Sequence, residues 1–269
     1  MSIEQIIVLA LVQGITEFLP ISSSGHLILV PALMKWQDQG LIVDVMVHMG
    51  SFLAVLVYFR RDVGQLILGG LELLRGRLTA RSRLALYILL ATIPAVIFGL
   101  IVKKTGFQEA VRGPFIVAVN AILFGIVMLV ADRYFAQRRR VEDMDLTSAL
   151  LIGVAQAVAI IPGTSRSGIT MAAGRFLHLT RVEAARFSFL LGIPAIAGAG
   201  VLVLGDAIAS GATITAEALI TGALTFLVAL GAIAFLMRVI TRIGLLPFVL
   251  YRLVLAGVLF WLMAIGYFG

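Results

Sequence analysis

The residues Gln13-Gly-Ile-Thr-Glu17-Phe-Leu-Pro-Ile-Ser-Ser-Ser-Gly-His26 link two apolar runs, Glu4–Leu19 and Leu27–Met34. A second apolar run, Leu146–Ile161, meets Pro162-Gly-Thr-Ser-Arg166-Ser-Gly-Ile-Thr170 and resumes as Ile169–Leu177. Each segment reads as a half-length helix, a Pro/Ser/Gly break and another half-length helix. A bilayer crossing takes about 17–25 residues, so neither half crosses alone and the pair is expected to dip in and return. Irregular backbone at membrane depth is tolerated only where it lines a protein cavity. At an offset of 143 residues Gln13 pairs with Gln156, Ser22 with Ser165, Ser24 with Ser167 and Gly25 with Gly168.

Working outward, each broken segment precedes three long apolar runs: Leu41–Phe59, Leu84–Val102 and Phe115–Ala131, then Phe187–Leu204, Ala218–Leu236 and Leu245–Phe268. These are six transmembrane helices, because a spanning segment must satisfy its backbone polar groups internally. The expected fold is all-α: a polytopic integral membrane protein with six transmembrane helices and two re-entrant helical hairpins. It forms a single membrane domain over residues 1–269, built of two repeats, about 1–135 and 146–269. Three spans per repeat make the repeats inverted, as in many transporters.

Composition excludes the other classes. Of 269 residues 61% are hydrophobic and 13% charged, against roughly 45–50% and 25% in soluble domains. Disorder needs the opposite balance, and the absence of Cys removes disulfide scaffolds, thiolate metal sites and thiol nucleophiles. The net charge of +7, with Arg supplying 18 of the 21 basic residues, suits cationic loops facing anionic lipid better than nucleic acid, and no nucleic-acid partner is expected. The start of the chain, with Glu4 and no basic flank, does not read as a cleavable signal peptide. The Arg-rich stretches 60–83, 133–145, 175–186 and 238–242 fall on one side by the positive-inside rule, with 205–217 on the other. The stretch 103–114, with Lys103, Lys104 and Arg112, falls on the outer side against the rule. The first break then enters from outside and the second from inside, so their tips meet near the midplane. Gly192, Gly198, Ala199 and Gly200 serve helix packing within the chain or between two copies, which leaves a homodimer open.

The tips carry the chemistry. Ionisable groups at membrane depth cost roughly 2.5–3.5 kcal/mol each on insertion scales and default to functional candidates. In Gly163-Thr164-Ser165-Arg166-Ser167-Gly168, with Thr170 beyond, a guanidinium stands among hydroxyls and amides where a helix restarts, which reads as a phosphate cradle. The plain alternative is a Ser-rich cap with a snorkelling Arg. Gln13 and Glu17 share a helix face. Glu17 is a candidate for holding a divalent cation or for acting as general base. His26 follows Ser23 by three residues, so Ser23 activated by His26 or Glu17, His26 itself, and an activated water all stand open as nucleophiles. Ser22 and Ser24 complete the first tip as substrate contacts. Asp44 and His48, i and i+4 on one face with Ser51 a turn further, read as groups that orient His26 or Arg166. Arg175, Arg181 and His178 read as interfacial charge, and Arg252, seven residues into the last span, as a snorkelling group or a helix-end contact.

These two motifs, with Asp44-Val-Met-Val-His48-Met-Gly-Ser51 and Leu246-Pro-Phe-Val-Leu-Tyr-Arg252, resemble the signatures of the undecaprenyl-pyrophosphate phosphatase family of the bacitracin-resistance type. The resemblance covers almost the whole chain. It implies an enzyme of the bacterial plasma membrane that hydrolyses undecaprenyl diphosphate to undecaprenyl phosphate and phosphate. That reaction recycles the lipid carrier for wall polymers and confers bacitracin resistance. It implies a divalent cation, Mg or Ca, and a site toward the periplasmic or outer face. Residue by residue, it makes Glu17 the second acidic position of the first motif, Ser23 the candidate nucleophile, His26 the motif histidine and Arg166 the diphosphate-binding arginine, with Ser165, Ser167 and Thr170 around it. The first motif position is often Glu and is Gln13 here, so a hydrogen-bonding role is expected of it and not that of base or main metal ligand. The rival class is transport: the same architecture suits a carrier that flips undecaprenyl phosphate or a related anionic lipid.

Overall fold

The computed structural model describes residues 1–37, 39–107, 111, 113–209, 211 and 213–268. Arg112, counted above among the outer charges, lies outside them. The described helices are α1 (Ile3–Thr16), α2 (Ser23–Met34), α3 (Leu41–Tyr58), α4 (Arg60–Leu74), α5 (Ala80–Thr105), α6 (Pro114–Tyr134), α7 (Leu146–Val158), α8 (Arg166–Phe176), α9 (Arg181–Ala209), α10 (Ala216–Ile243) and α11 (Leu246–Ala264). Six of them, α3, α5, α6, α9, α10 and α11, are long and apolar enough to cross a membrane. In the most apolar stretch of α5 only 28% of residues are buried within the fold. The apolar remainder faces outward, which fits hydrocarbon as the surrounding solvent and not water. The chain is thus an all-helical, multi-pass membrane protein.

Both breaks fall where the motifs place them, between α1 and α2 and between α7 and α8. They are built alike. Ser22 and Ser165 are the N-caps of α2 and α8, and each side-chain oxygen accepts the amide of the glycine three residues on, Gly25 or Gly168. Both serines hold a positive φ, 77° and 72°, a conformation that strains a residue with a Cβ. The capping bond and the surrounding packing hold them there. Ser23 and Arg166 therefore stand at equivalent positions, the first residue of each restarting helix. Helix α1 packs against α10 and α7 against α5, so each broken segment lies on a span from the other half of the chain. Helices α3 and α10 pack closely at Gly50, where a Cβ would overlap the Gly222 carbonyl. Phe18, on the first break, is fully buried edge-on against Phe189 of α9, with ring centroids 5.4 Å apart.

The ends of the bundle segregate charge. At one end Arg186 pairs with Asp62, Glu142 and Glu183, and Asp132 takes Arg181 at 2.7 Å and Arg175 at 3.4 Å. Arg181 also donates to the Thr241 carbonyl and the amide of Leu245 to Asp132, so all four Arg-rich stretches gather there. At the other end Lys103 pairs with Asp206 at 2.6 Å. The lysine that offended the positive-inside rule is thus neutralised by the acidic 205–217 side.

Three expectations change. The Arg-rich stretch 60–83 is not all loop: Val63 and Leu66, three residues apart, turn its first half inward as the amphipathic helix α4. Arg175 is not interfacial. It is buried, and besides Asp132 it donates to the carbonyls of Phe135, Ala136 and Leu179, closing the end of α6. Arg252 does not snorkel. It is fully buried and donates to the carbonyls of Asn120 and Ala121 on α6, Pro20 on the first break, and Gly163 and Thr164 on the second. The breaks free backbone carbonyls that no helix can satisfy, and one planar fork with five N–H donors collects them. Arg252→Met should therefore lower stability by about 3–5 kcal/mol, since unsatisfied buried carbonyls cost roughly 1–3 kcal/mol each. Arg252→Lys should recover little of it, because a point ammonium cannot span both breaks. Thermal unfolding in detergent reads this directly, and an unchanged midpoint in Arg252→Met would sink it.

Candidate active site

Glu17 is the hub where the two breaks meet. It lies just past α1, with its carboxylate almost wholly buried. One oxygen, Oε1, accepts from Arg166 Nη2 at 2.8 Å; the other, Oε2, accepts from Ser23 Oγ at 2.6 Å and from Gln13 Nε2 at 3.1 Å. Gln13 also reaches Ser51 Oγ at 3.5 Å, bringing α3 into the cluster. The two equivalent positions, Ser23 and Arg166, thus hold opposite oxygens of one carboxylate. A buried carboxylate is tolerated when it is paired and hydrogen-bonded, and this one has a guanidinium, a hydroxyl and an amide.

Arg166 is set by α9. Its Nη1 donates to the Ser188 carbonyl at 3.3 Å, and a Cβ on Gly192, one turn further along, would overlap the guanidinium. The Ser188 hydroxyl lies 2.6 Å from that of Thr170, which in turn donates to the Arg166 carbonyl. Ser167 Oγ donates to the Leu19 carbonyl at 3.2 Å and ties the second tip to the first. With its side chain 15% exposed, Arg166 keeps a face open to a ligand; Ser23 is half-buried and Ser24 exposed beside it.

The other candidates separate into two groups. Ser22, Ser165, Gly168 and Thr170 are committed to caps and to the seat of Arg166, and Gly163 and Thr164 are buried with their carbonyls on Arg252. Both ring nitrogens of His26 have partners other than Ser23: Nδ1 meets the Ser22 carbonyl at 2.7 Å and Nε2 the Tyr251 hydroxyl at 2.6 Å. His48 Nδ1 donates to the Asp44 backbone carbonyl, and the Asp44 carboxylate accepts from Gln39.

Among the described residues no group of three or more His, Asp or Glu gathers to hold a metal. What surrounds Glu17 is a set of hard oxygens: its carboxylate, Ser23 Oγ, and Gln13 Oε1, which is buried without a partner. One carboxylate with neutral oxygens suits Mg or Ca only when phosphate oxygens complete the shell. The residues fit a cation that arrives with, or is retained by, a phosphate ligand.

A family model for the bacitracin resistance protein BacA matches residues 6–258. The chain belongs to this family. Curated relatives agree over nearly their whole length. It is 49% identical to an undecaprenyl-diphosphatase of Maricaulis maris, covering 94% of this chain and 96% of that one. It is 48% identical to one of Teredinibacter turnerae, over 97% and 99%, and 46% identical to one of Erythrobacter litoralis, over 94% and 96%. Within this BacA member, sequence reasoning missed Ser188, Asn120 and Tyr251. Asn120 donates to the Pro162 carbonyl at 2.8 Å. A polar side chain inside a span was the available signal for Asn120, and the Ser188-x-x-x-Gly192 spacing of small residues for the seat of Arg166.

Proposed function

We propose that the chain hydrolyses undecaprenyl diphosphate to undecaprenyl phosphate and inorganic phosphate in a bacterial plasma membrane. This recycles the lipid carrier and depletes the diphosphate that bacitracin would sequester. The observation that carries the reading is the Ser23 hydroxyl 2.6 Å from Glu17 Oε2, with Arg166 on the other oxygen. The names of the relatives point to the same substrate.

Arg166 keeps Nη2 on Glu17 and turns its exposed face to the diphosphate, and the amides at the starts of α2 and α8 add oriented donors. The Ser23 proton passes to Glu17 as Oγ attacks the terminal phosphorus. The anhydride P–O bond breaks in line, and undecaprenyl phosphate leaves with the bridging oxygen. Water then attacks the phosphoserine; its proton and the one on Glu17 end on phosphate and on Ser23. A Mg or Ca ion held by Glu17, with Gln13 and Ser23 beside it, would supply charge neutralisation. Phosphoryl transfer is mostly positioning and charge stabilisation, which is what a buried Glu–Arg–Ser cluster provides.

The two broken segments are read as re-entrant hairpins of an inverted repeat, with the site opening toward the outer face and bilayer lipid covering the apolar rim. A lipid carrier needs an anion grip but no hydroxyl held on a carboxylate, so the cluster favours the hydrolase over a flippase. The purified protein in detergent should release phosphate from undecaprenyl diphosphate with Mg or Ca, and EDTA should bring release to background. A folded sample that binds substrate and releases no phosphate would overturn the reading and turn the assay to lipid flipping in liposomes.

A further inference from the structure

We infer that Tyr251 is a positioning residue for this hydrolysis, acting through His26, and that His26 is a strut for the first break and not the base for Ser23. The inference rests on the reading of Ser23 as nucleophile. It begins with the Ser22 carbonyl. A carbonyl only accepts, so the 2.7 Å contact places the imidazole proton on Nδ1. The neutral ring then has its lone pair on Nε2, and the Tyr251 hydroxyl, 2.6 Å away, donates to it. The two rings stack, 5.7 Å between centroids and 19° between planes, which fixes the imidazole in rotation as well. Both ring nitrogens are engaged elsewhere, and the Ser23 hydroxyl donates to Glu17.

The held carbonyl belongs to the peptide unit whose nitrogen is that of Ser23. Ser22 sits at φ 77°, where a residue with a Cβ is strained and needs an outside restraint. Pinning its carbonyl sets the plane from which the Ser23 side chain projects. The second break makes the comparison. Ser165 has the same φ and the same cap, but Ile169 stands where His26 stands in the first. Arg252 grips carbonyls of both breaks, Pro20 in the first and Gly163 and Thr164 in the second, so it does not set them apart. Arg252 thus braces both breaks, while its neighbour on α11, Tyr251, braces through His26 the first alone, the one that carries Ser23. Tyr251 does this from the rim of a cavity of about 460 Å³ that Leu11, Ile15 and Phe248 also line.

The test uses the full-length protein in detergent with undecaprenyl diphosphate. Tyr251→Phe keeps the stacked ring and loses the hydroxyl, and should lower kcat about five- to tenfold with KM unchanged, the effect of one neutral hydrogen bond. An Asn amide nitrogen falls near the place of Nδ1, while a Gln amide falls near Nε2. His26→Asn should therefore keep activity within about tenfold of the parent, while His26→Gln falls to the level of His26→Ala. Wild-type kcat in Tyr251→Phe, or His26→Asn as inactive as His26→Ala, would overturn the inference. The ¹⁵N spectrum of the imidazoles reads it without turnover. The resonances lost in His26→Asn should show the proton on Nδ1 and should shift in Tyr251→Phe; a proton on Nε2, or no shift, would also overturn it. A parent protein that releases no phosphate but shows this tautomer and shift would fail the hydrolase reading and leave the brace standing.

Discussion

Ser23→Ala should reduce phosphate release from undecaprenyl diphosphate by about 10³-fold or more, because no neighbouring hydroxyl can take its place. Ser22 is turned back as the cap of α2, and the Ser24 hydroxyl bonds that of Ser22 and, among the described residues, no carboxylate. The fold should not notice. Ser23 is half-buried and caps nothing, and Glu17 keeps Arg166 and Gln13 when the hydroxyl goes. Substrate affinity and thermal midpoint should therefore stay near those of the parent while kcat collapses. Residual hydrolysis above roughly a tenth of the parent rate would remove Ser23 as nucleophile and pass the role to water.

For Arg166→Ala a loss of about 10³-fold is expected as well, by a different route, because a positioned guanidinium at a transferring phosphoryl group is worth about that much. Here KM should rise along with the fall in kcat, since Arg166 grips the ground state too. The change also strips Glu17 of its only salt-bridge partner among the described residues while leaving it buried. Removing one partner of a buried pair costs about 3–5 kcal/mol, so this variant should unfold earlier. The double variant Glu17→Gln/Arg166→Ala separates the effects. It should regain stability, because no unpaired charge remains, and should stay inactive. Phosphate release and thermal unfolding on the same samples check both halves, and an active Arg166→Ala would place the diphosphate elsewhere.

Most of the architecture was legible because it rests on local rules. Run length against bilayer thickness separates α3, α5, α6, α9, α10 and α11 from the half-length pairs around the breaks. The Ser-x-x-Gly pattern that ends each break is a capping geometry closed within four residues, and both caps formed. Helix α4 was hidden because its polar positions, Arg60 to Asp62, Gln65 and Glu72, read alike as loop and as the polar face of an amphipathic helix. In the site, Glu17 and Arg166 stood out because a charge at depth demands a reason.

The sequence by itself determined that this is a helical membrane protein with two broken segments, and that Glu17 and Arg166 stand at those breaks. Capping, periodicity and burial cost act over a few residues and need no partner to be known. The tertiary structure decided who meets whom: that Ser23 rests on Glu17 while His26 rests on Tyr251, and that Arg252 gathers carbonyls from both breaks and from α6. Arg166 meets Glu17 across 149 positions and His26 meets Tyr251 across 225. Such pairings are set by how helices pack, which no rule acting over a few residues can read.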